Sequence, residues 1–310
     1  MALKIVNGVY PTMITPFRKD LSIDTENLRK LVRWYEEHGI NGLFAVAQSS
    51  SMFELSLKER TELAREVRLS ASAEIPVIAS GHISDTIEDQ AEELNAIAET
   101  GVDALVLITN RFSAPDDEDK VWINRIEKLL KKIPENIQLG LYECPQPYKK
   151  ILSDYLFDWV VDSERFTFLK DTCCNPSMIR YRGKRAENSS LKLFNANAPT
   201  LLMSLRHGYA GYSGIMTNFH TDLYYWLCAN WEKEPEKAEK LQKYLSVSSL
   251  IENYGYPQIA KYALKKQGVP METVSRRFDV RYREFTEYDA FLIDQFLELS
   301  DQYRKDFLQR

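Results

Sequence analysis

Eight short apolar runs recur within the first 220 residues, and longer amphipathic segments separate them. Nearly continuous apolar runs are typical of strands buried on both faces, and single intervening helices favour parallel pairing. Eight such units fit a closed (β/α)8 barrel better than the alternative, a doubly wound sheet, because no GxGxxG motif follows the first run. The runs are GVYPTMI (8–14), GLFAVA (42–47), PVIAS (76–80), ALVLIT (104–109), QLGLYE (138–143), FTFLKD (166–171), LKLFNA (191–196) and GYSGIM (211–216).

Helix signals lie between these runs. Asp24 is a candidate N-cap of the first helix, SLKE at 56–59 has the pattern of a capping box, and Ser84 is the predicted start of the third helix. After residue 220 only helix-period apolar patterns remain. The sequence therefore predicts a barrel over residues 1–220 and a C-terminal helical extension, packed on the barrel, over residues 221–310.

Charge and hydrophobicity exclude several classes of protein. The net charge of −5 and the absence of a basic cluster argue against nucleic acid or an anionic membrane as a partner. The N-terminus lacks the apolar core of a signal peptide, and no run approaches the roughly 18 apolar residues of a membrane span. We therefore expect a cytoplasmic protein that acts on a small molecule.

Cysteine and histidine residues show no metal-ligand spacing. The four histidines are scattered, and Cys144, Cys173, Cys174 and Cys228 follow neither a zinc pattern nor a disulfide framework. We expect reduced, structural cysteines, no metal site and no cofactor.

Lys170 follows an apolar run at the point where a barrel strand would end. Catalytic groups of such barrels lie at the C-terminal ends of the strands, here called the mouth. An amine desolvated there has a lowered pKa and can attack a ketone to form a Schiff base. The alternative is a lysine that pairs with Asp171 or extends into solvent.

Polar residues end two other predicted strands. Tyr142 closes the fifth and could serve as a general acid and base, although a strand-end tyrosine can also be a packing residue. Gln48, Ser49 and Ser50 follow the second strand. Their hydroxyl and amide groups suit a carboxylate, but serine is common in loops.

Together these segments resemble the dihydrodipicolinate synthase and N-acetylneuraminate lyase family, which are class I aldolase-type barrels that form a Schiff base with pyruvate. FLKDT is similar to the motif around the family's Schiff-base lysine, GLYECP to the segment of its catalytic tyrosine, and AQSSS occupies the place of its carboxylate-binding turn. The resemblance implies that Lys170 forms the imine and that Tyr142 transfers protons. It also implies a homo-oligomer, a dimer or tetramer.

Departures from the family pattern concern the substrate. Gln48 and Ser49 fall on the turn's usual hydroxyl pair, and Ser50 replaces its glycine. Phe112 stands where true synthases have a second tyrosine, and Pro147 where they have an arginine that grips the aldehyde substrate's carboxylate. These losses argue against lysine-pathway synthase activity.

The remaining candidates could bind the substrate or have structural roles. Asn197 is a candidate for binding substrate hydroxyls, although a strand-end asparagine can also simply form a turn, and Ser213 is a further candidate substrate-binding residue. Arg111 and Glu143 bring new charges near the mouth, either for an acidic or polyhydroxylated substrate or for a subunit-contact ion pair.

We therefore expect a lyase or aldolase that cleaves a 2-keto acid, of the sugar-acid type, to pyruvate and an aldehyde, or that runs the reverse condensation. The alternatives are 4-hydroxy-tetrahydrodipicolinate synthase itself and a non-catalytic barrel that binds a small molecule.

Overall fold

Eight parallel strands form a closed barrel in the computed structural model, which describes residues 4–276 and 284–308. Each of the eight predicted strands is present, and neighbours in sequence are neighbours in the sheet, with β1 also beside β8. The strands are β1 (Gly8–Val9), β2 (Leu43–Phe44), β3 (Val77–Ala79), β4 (Ala104–Ile108), β5 (Gln138–Tyr142), β6 (Phe166–Asp171), β7 (Lys192–Asn195) and β8 (Gly211–Tyr212).

The segment that follows β1 closes the barrel. Thr12 pairs in parallel with Phe44 of β2. The amide of Met13 donates to the Phe44 carbonyl at 3.1 Å, and the amide of Phe44 donates to the Pro11 carbonyl at 3.0 Å. Because these bonds join the first strand to the second, the prediction of a (β/α)8 barrel is confirmed.

Five of the barrel helices begin at residues whose side chains accept hydrogen bonds from free amides. Asp24 caps the first helix, and Ser56 forms the predicted capping box with Glu59. The predicted start at Ser84 is wrong, because Thr86 is the N-cap and the Ser84 hydroxyl instead donates to Glu93. The barrel helices are α1 (Thr25–Glu37), α2 (Leu57–Ser70), α3 (Ile87–Ala98), α4 (Asp119–Leu130), α5 (Asp154–Asp162), α6 (Pro176–Ala186), α7 (Leu201–Arg206) and α8 (Thr217–Asn230).

A helical extension follows the barrel, as predicted from the end of the strand pattern. The boundary predicted at residue 220 falls inside α8, and α8 packs on β1 as the eighth barrel helix. We therefore propose that the extension begins after Asn230. It consists of α9 (Pro235–Ser248), α10 (Gln258–Lys266) and α11 (Glu287–Phe307), and all three helices pack on α8.

Aromatic rings fill the barrel interior beneath the mouth. The Phe168 ring stacks on Phe194 with centroids 4.6 Å apart, and Tyr10 lies edge-on to Phe194 at 4.8 Å. The Phe44 ring lies edge-on to Phe168 and to Tyr142, with ring centroids 6.1 Å and 5.8 Å apart. This packing makes the floor of the mouth apolar.

No helix in the described ranges is long and apolar enough to cross a membrane.

Gly211 allows β8 to approach β1, and we expect Gly211→Ala to disrupt this seam. A Cβ at this position would lie 1.7 Å from the Gly8 carbonyl oxygen, which is backbone and has little room to move. We expect a loss of more than about 3 kcal/mol in the free energy of unfolding, measured by urea denaturation, or insoluble protein.

Gly268→Ala is the control for this change. A Cβ at Gly268 would meet nothing within 4 Å, so only its positive φ of 95° is disfavoured for alanine. That conformation costs about 1–2 kcal/mol. Equal stability losses in the two variants would contradict the assignment of the seam.

Candidate active site

The amine of Lys170 lies inside the barrel at the mouth. Lys170 is only 3% exposed, and its Nζ donates a hydrogen bond to Thr12 Oγ1 at 2.6 Å. The same Nζ lies 4.7 Å from the ring centroid of Tyr142 and 5.7 Å from that of Phe44. The lysine therefore does not extend into solvent, and Asp171 is not its partner, because Asp171 pairs with Arg182.

Burial changes the protonation of this amine. Desolvation lowers the pKa of Lys170 to about 7, although electrostatic interactions with Cys144 and Glu252 act in the opposite direction. A substantial fraction of the amine is therefore neutral near pH 7 and carries the lone pair that a nucleophile requires.

Tyr142 lies beside Lys170 on the neighbouring strand. The two residues are in register between β5 and β6, and Tyr142 is 4% exposed. Cys144, two residues later, is buried with Sγ 3.7 Å from Gln48 Oε1. Burial raises the pKa of Cys144 to about 11, while Gln146, Tyr142 and Lys170 act in the opposite direction. The thiol is therefore protonated at neutral pH.

The serine turn after β2 is held by its own hydrogen bonds. Residues Gln48–Ser50 form a single 3₁₀ turn. The Ser50 hydroxyl accepts from the Ala47 amide at 2.7 Å and donates to the Ala47 carbonyl at 2.6 Å, while Thr15 donates to the Ser50 carbonyl at 2.8 Å. The hydroxyl of Ser50 thus stabilises the turn. Ser49 is buried at 6% exposure, and Gln48 is half-buried toward Cys144.

Ser213 and Asn197 have different surroundings. Tyr212 stacks on Tyr224 of α8 with centroids 4.1 Å apart, so the next residue, Ser213, faces the barrel interior. Its hydroxyl is fully buried and has no partner in the described structure. The Asn197 side chain instead accepts from Thr200 at 2.9 Å and therefore belongs to a local turn.

The residues that depart from the family pattern are packed within the subunit. Phe112 is fully buried, with ring centroids 5.4 Å from Trp122 and 5.8 Å from His82. Arg111 pairs with Asp85 at 2.9 Å, and its guanidinium lies 5.7 Å from the Phe53 ring centroid. The ion pair of Arg111 therefore forms within one chain.

Pro147 lies in a loop that Asn110 holds. The Asn110 amide donates to the carbonyls of Cys144, Gln146 and Tyr148 at 2.9, 2.7 and 2.6 Å. This loop follows directly from the strand of Tyr142. Asn110 thus fixes the backbone beyond the candidate proton-transfer residue.

Glu143 does not face the mouth. Its carboxylate is fully buried behind the strands and pairs with Arg182 at 2.7 Å. Neither predicted role, a substrate contact or a subunit contact, applies to Glu143, because the chain itself supplies the partner.

Sequence reasoning missed several residues of the site. Thr12 lies within the first predicted strand, Ser80 ends the third and Cys144 directly follows the fifth, so the available signal is a polar residue in or just after an apolar run. Ser80 is two residues beyond Ile78, which is in register with the inward-facing Phe44, and its buried hydroxyl has no partner in the part of the chain that is described. Among residues 4–276 and 284–308, no group of three His, Cys, Asp or Glu residues could hold a metal ion.

A model of the dihydrodipicolinate synthetase family matches residues 5–278. The chain belongs to this family. The prediction of membership is confirmed, and members are carbon–carbon lyases of the class I aldolase type, in agreement with the predicted enzyme class.

Individual relatives are distant. The chain is 37% identical to 4-hydroxy-tetrahydrodipicolinate synthase of Haloarcula marismortui over a segment of 112 residues. This segment covers 36% of this chain and 36% of that one. The synthase of Coxiella burnetii is 23% identical over 298 residues, covering 90% of this chain and 96% of that one. The structure of a sialic acid aldolase from Ruminococcus gnavus has a TM-score of 0.86 at 17% identity and covers 98% of this chain and 100% of that one, which confirms the fold.

Lys170 should lose its proton near neutral pH. Since its pKa is lowered to about 7 from an ordinary 10.5, the neutral amine becomes the major form above pH 7. We expect the rate of imine formation with pyruvate to rise roughly tenfold between about pH 6 and pH 8 and then to level off. The rate can be followed by borohydride quenching. A rate that still rises steeply above about pH 9 would indicate an ordinary, solvated amine.

Folding stability should change between about pH 7 and pH 10.5, the folded-state and ordinary pKa values of Lys170. Because the folded-state pKa lies below the unfolded value, burying Lys170 costs stability. This cost is largest below about pH 7 and disappears as the pH approaches 10.5, the ordinary pKa. Lys170→Met should therefore raise the melting temperature more at acidic than at alkaline pH.

Proposed function

We propose that this chain cleaves a 2-keto acid of the sugar-acid type to pyruvate and an aldehyde, or runs the reverse condensation, through an imine on Lys170. The observation that carries the proposal is a buried amine with a pKa near 7, whose Nζ lies 4.7 Å from the ring of Tyr142. Strongly shifted pKa values cluster at functional sites, and here the shift coincides with a position at the barrel mouth beside a tyrosine.

The proposed reaction begins when neutral Lys170 attacks the C2 carbonyl of the keto acid. Loss of water gives a protonated imine. The C3–C4 bond then breaks, its electron pair enters the iminium to form an enamine, and the C4 hydroxyl gives up its proton as the aldehyde leaves. Protonation of the enamine at C3 and hydrolysis of the imine release pyruvate and regenerate the amine.

Tyr142 and Thr12 support different steps in this scheme. We assign to Tyr142, whose ring lies 4.7 Å from Lys170 Nζ, the transfer of the proton from the C4 hydroxyl and its return, as a general acid and base. Thr12 accepts a hydrogen bond from Nζ at 2.6 Å. This bond fixes the position of the amine inside the barrel. When the amine is neutral, its lone pair therefore has a defined orientation.

We assign the keto acid's carboxylate to the turn formed by Gln48, Ser49 and Ser50. Ser50 fixes the backbone of the turn, while Ser49 and the half-buried Gln48 remain as polar groups beside the pocket. The turn lies next to Cys144, which links it to the strand of Tyr142. A turn that is already ordered loses little conformational entropy when it binds an anion.

Two buried hydroxyls favour a polyhydroxylated substrate. Ser213 and Ser80 face the interior from β8 and from the end of β3, and neither hydroxyl has a partner within the described residues. A buried hydroxyl without a partner is costly, and substrate hydroxyls would satisfy both. Synthase activity is disfavoured because Phe112 is sealed in the subunit core and Pro147 offers no cation.

Borohydride reduction with pyruvate tests the chemistry. We expect a reduced pyruvyl adduct on Lys170 in the wild-type chain and none in Lys170→Met, as measured by peptide mass spectrometry. The absence of an adduct on wild-type Lys170 would leave the non-catalytic binding barrel as the better interpretation.

Lys261 provides a matched control. It is 1% exposed, burial lowers its pKa to about 7, and its Nζ donates to the Val274 carbonyl at 2.6 Å. This amine lies over Phe17 rather than beside Tyr142. We expect Lys261→Met to retain the adduct, so that position in the lumen, and not a lowered pKa alone, determines reactivity.

Substitution of the two hydroxyls tests the substrate class. Ser213→Ala and Ser80→Ala should each raise KM for polyhydroxylated keto acids several-fold, because each hydrogen bond is worth about 0.5–1.5 kcal/mol. The rate of pyruvate adduct formation should change little. Unchanged KM values, together with condensation of the synthases' own aldehyde substrate, would favour 4-hydroxy-tetrahydrodipicolinate synthase instead.

A further inference from the structure

We propose that Arg182 is a positioning residue for the reaction: by bridging Glu143 and Asp171 behind the sheet, it fixes Tyr142 and Lys170 relative to each other. Glu143 directly follows Tyr142, and Asp171 directly follows Lys170. The inference rests on the proposed function, because it assigns these two residues to proton transfer and imine formation.

Strand alternation places the two pairs on opposite faces of the sheet. Tyr142 and Lys170 point into the barrel, so the next residue on each strand points toward the helices. Glu143 and Asp171 are both buried there, between the sheet and α6. A force on either carboxylate is therefore transmitted through one backbone unit to a reacting side chain.

Arg182 joins the two strands with one guanidinium. It lies in α6 with no exposed surface, and its Nη1 is 2.8 Å from Asp171 Oδ2 while its Nη2 is 2.7 Å from Glu143 Oε1. Nη2 also donates to the Leu152 carbonyl at 2.8 Å, and the guanidinium lies 5.3 Å from the ring centroid of Phe157 in α5. The Glu143 contact has hydrogen-bond geometry, whereas Nη1 has no aligned acceptor in the described structure and pairs with Asp171 by charge at close range. One rigid, planar guanidinium thus holds the two carboxylates at a set spacing.

The Glu143 carboxylate also orders the neighbouring backbone. Oε1 accepts from the Leu152 amide and Oε2 from the Thr172 amide, both at 2.9 Å. The Thr172 hydroxyl donates to the Glu143 carbonyl at 2.8 Å. The β5 end is thereby tied to the residue that lies two positions beyond Lys170.

Both carboxylate oxygens of Asp171 also have hydrogen-bond partners. Its Oδ1 accepts from the Cys173 amide at 2.7 Å and its Oδ2 from the Tyr209 hydroxyl at 2.5 Å. Burial opposes its ionisation, but Arg182 and these hydrogen bonds hold the pKa of Asp171 below its ordinary range. The side chain therefore stays charged and continues to bind the guanidinium.

Arg182→Lys tests this role while keeping the positive charge. A lysine has no planar fork and cannot match both carboxylates, so the two strand ends lose their common anchor. We expect kcat to fall tenfold to a hundredfold, roughly the effect of a displacement near 1 Å, while KM for the keto acid changes less than about threefold. Near-wild-type kcat in a folded Arg182→Lys would overturn the proposal.

Arg68→Lys is the matched control. Arg68 also joins a buried carboxylate, Asp103, at 3.0 Å and donates to the Ile75 and Ser72 carbonyls at 2.8 Å. These contacts lie at the end of the barrel opposite the mouth, because Asp103 precedes β4. We expect Arg68→Lys to lower the melting temperature with kcat unchanged. A similar loss of kcat in both variants would indicate a merely structural effect.

A neutral triple variant covers the case in which Arg182→Lys does not fold. Arg182→Met, Glu143→Gln and Asp171→Asn together leave no buried charge unpaired, and such replacements are often well tolerated. We expect this variant to fold and to show the same selective loss of kcat. Wild-type kcat in the triple variant would overturn the proposal.

A double-mutant cycle with Tyr142→Phe identifies the route of the effect. If Arg182 acts by positioning Tyr142, Arg182→Lys should cost at least threefold less kcat in the Tyr142→Phe background than in the wild-type background. Equal losses in both backgrounds would overturn the proposal. Failure of the proposed function is distinguishable, because the wild-type chain would then form no pyruvate adduct at all.

Discussion

The rest of the site depends on keeping one primary amine out of water. Lys170 ends a strand of a closed parallel barrel, and the aromatic floor formed by Tyr10, Phe44, Phe168 and Phe194 removes solvent beneath it. Charging an amine in such surroundings is unfavourable, so a large core is needed to offset the cost. The barrel provides that core, and it also provides neighbouring strand ends within reach of the amine.

The two faces of the sheet carry side chains of different chemical character. The side chains that point inward are buried and include no carboxylate; they are Thr12, Tyr142, Lys170 and Ser213. The buried ion pairs lie on the outer face, where the single guanidinium of Arg182 contacts both Glu143 and Asp171. Strong electrostatic contacts can therefore hold the strand ends rigid without shifting the protonation of the amine to an ordinary value.

Much of the fold could be predicted from sequence, because the apolar runs that located all eight strands are a local pattern. Strand-end position made Lys170 and Tyr142 only candidates, and the resemblance to the aldolase family was needed to favour a catalytic role over a packing or solvent-exposed one. Ser84 misled the prediction because Ser84 and Thr86 are both competent caps, and the choice depends on Glu93, which engages Ser84 from within α3. Arg182 gave no signal, since an arginine within an amphipathic helix normally faces solvent, and only tertiary contact with Glu143 and Asp171 makes it a core residue.

The bridge behind the sheet also limits how such a site can change over evolutionary time. Glu143, Asp171 and Arg182 are separated in sequence but share one buried charge balance. A lineage that lost Arg182 alone would carry two uncompensated carboxylates in its core, and one that gained Glu143 alone would carry an extra buried anion. The three positions should therefore vary as a set, and their joint presence would mark a distinct branch among barrels that keep the same lysine and tyrosine.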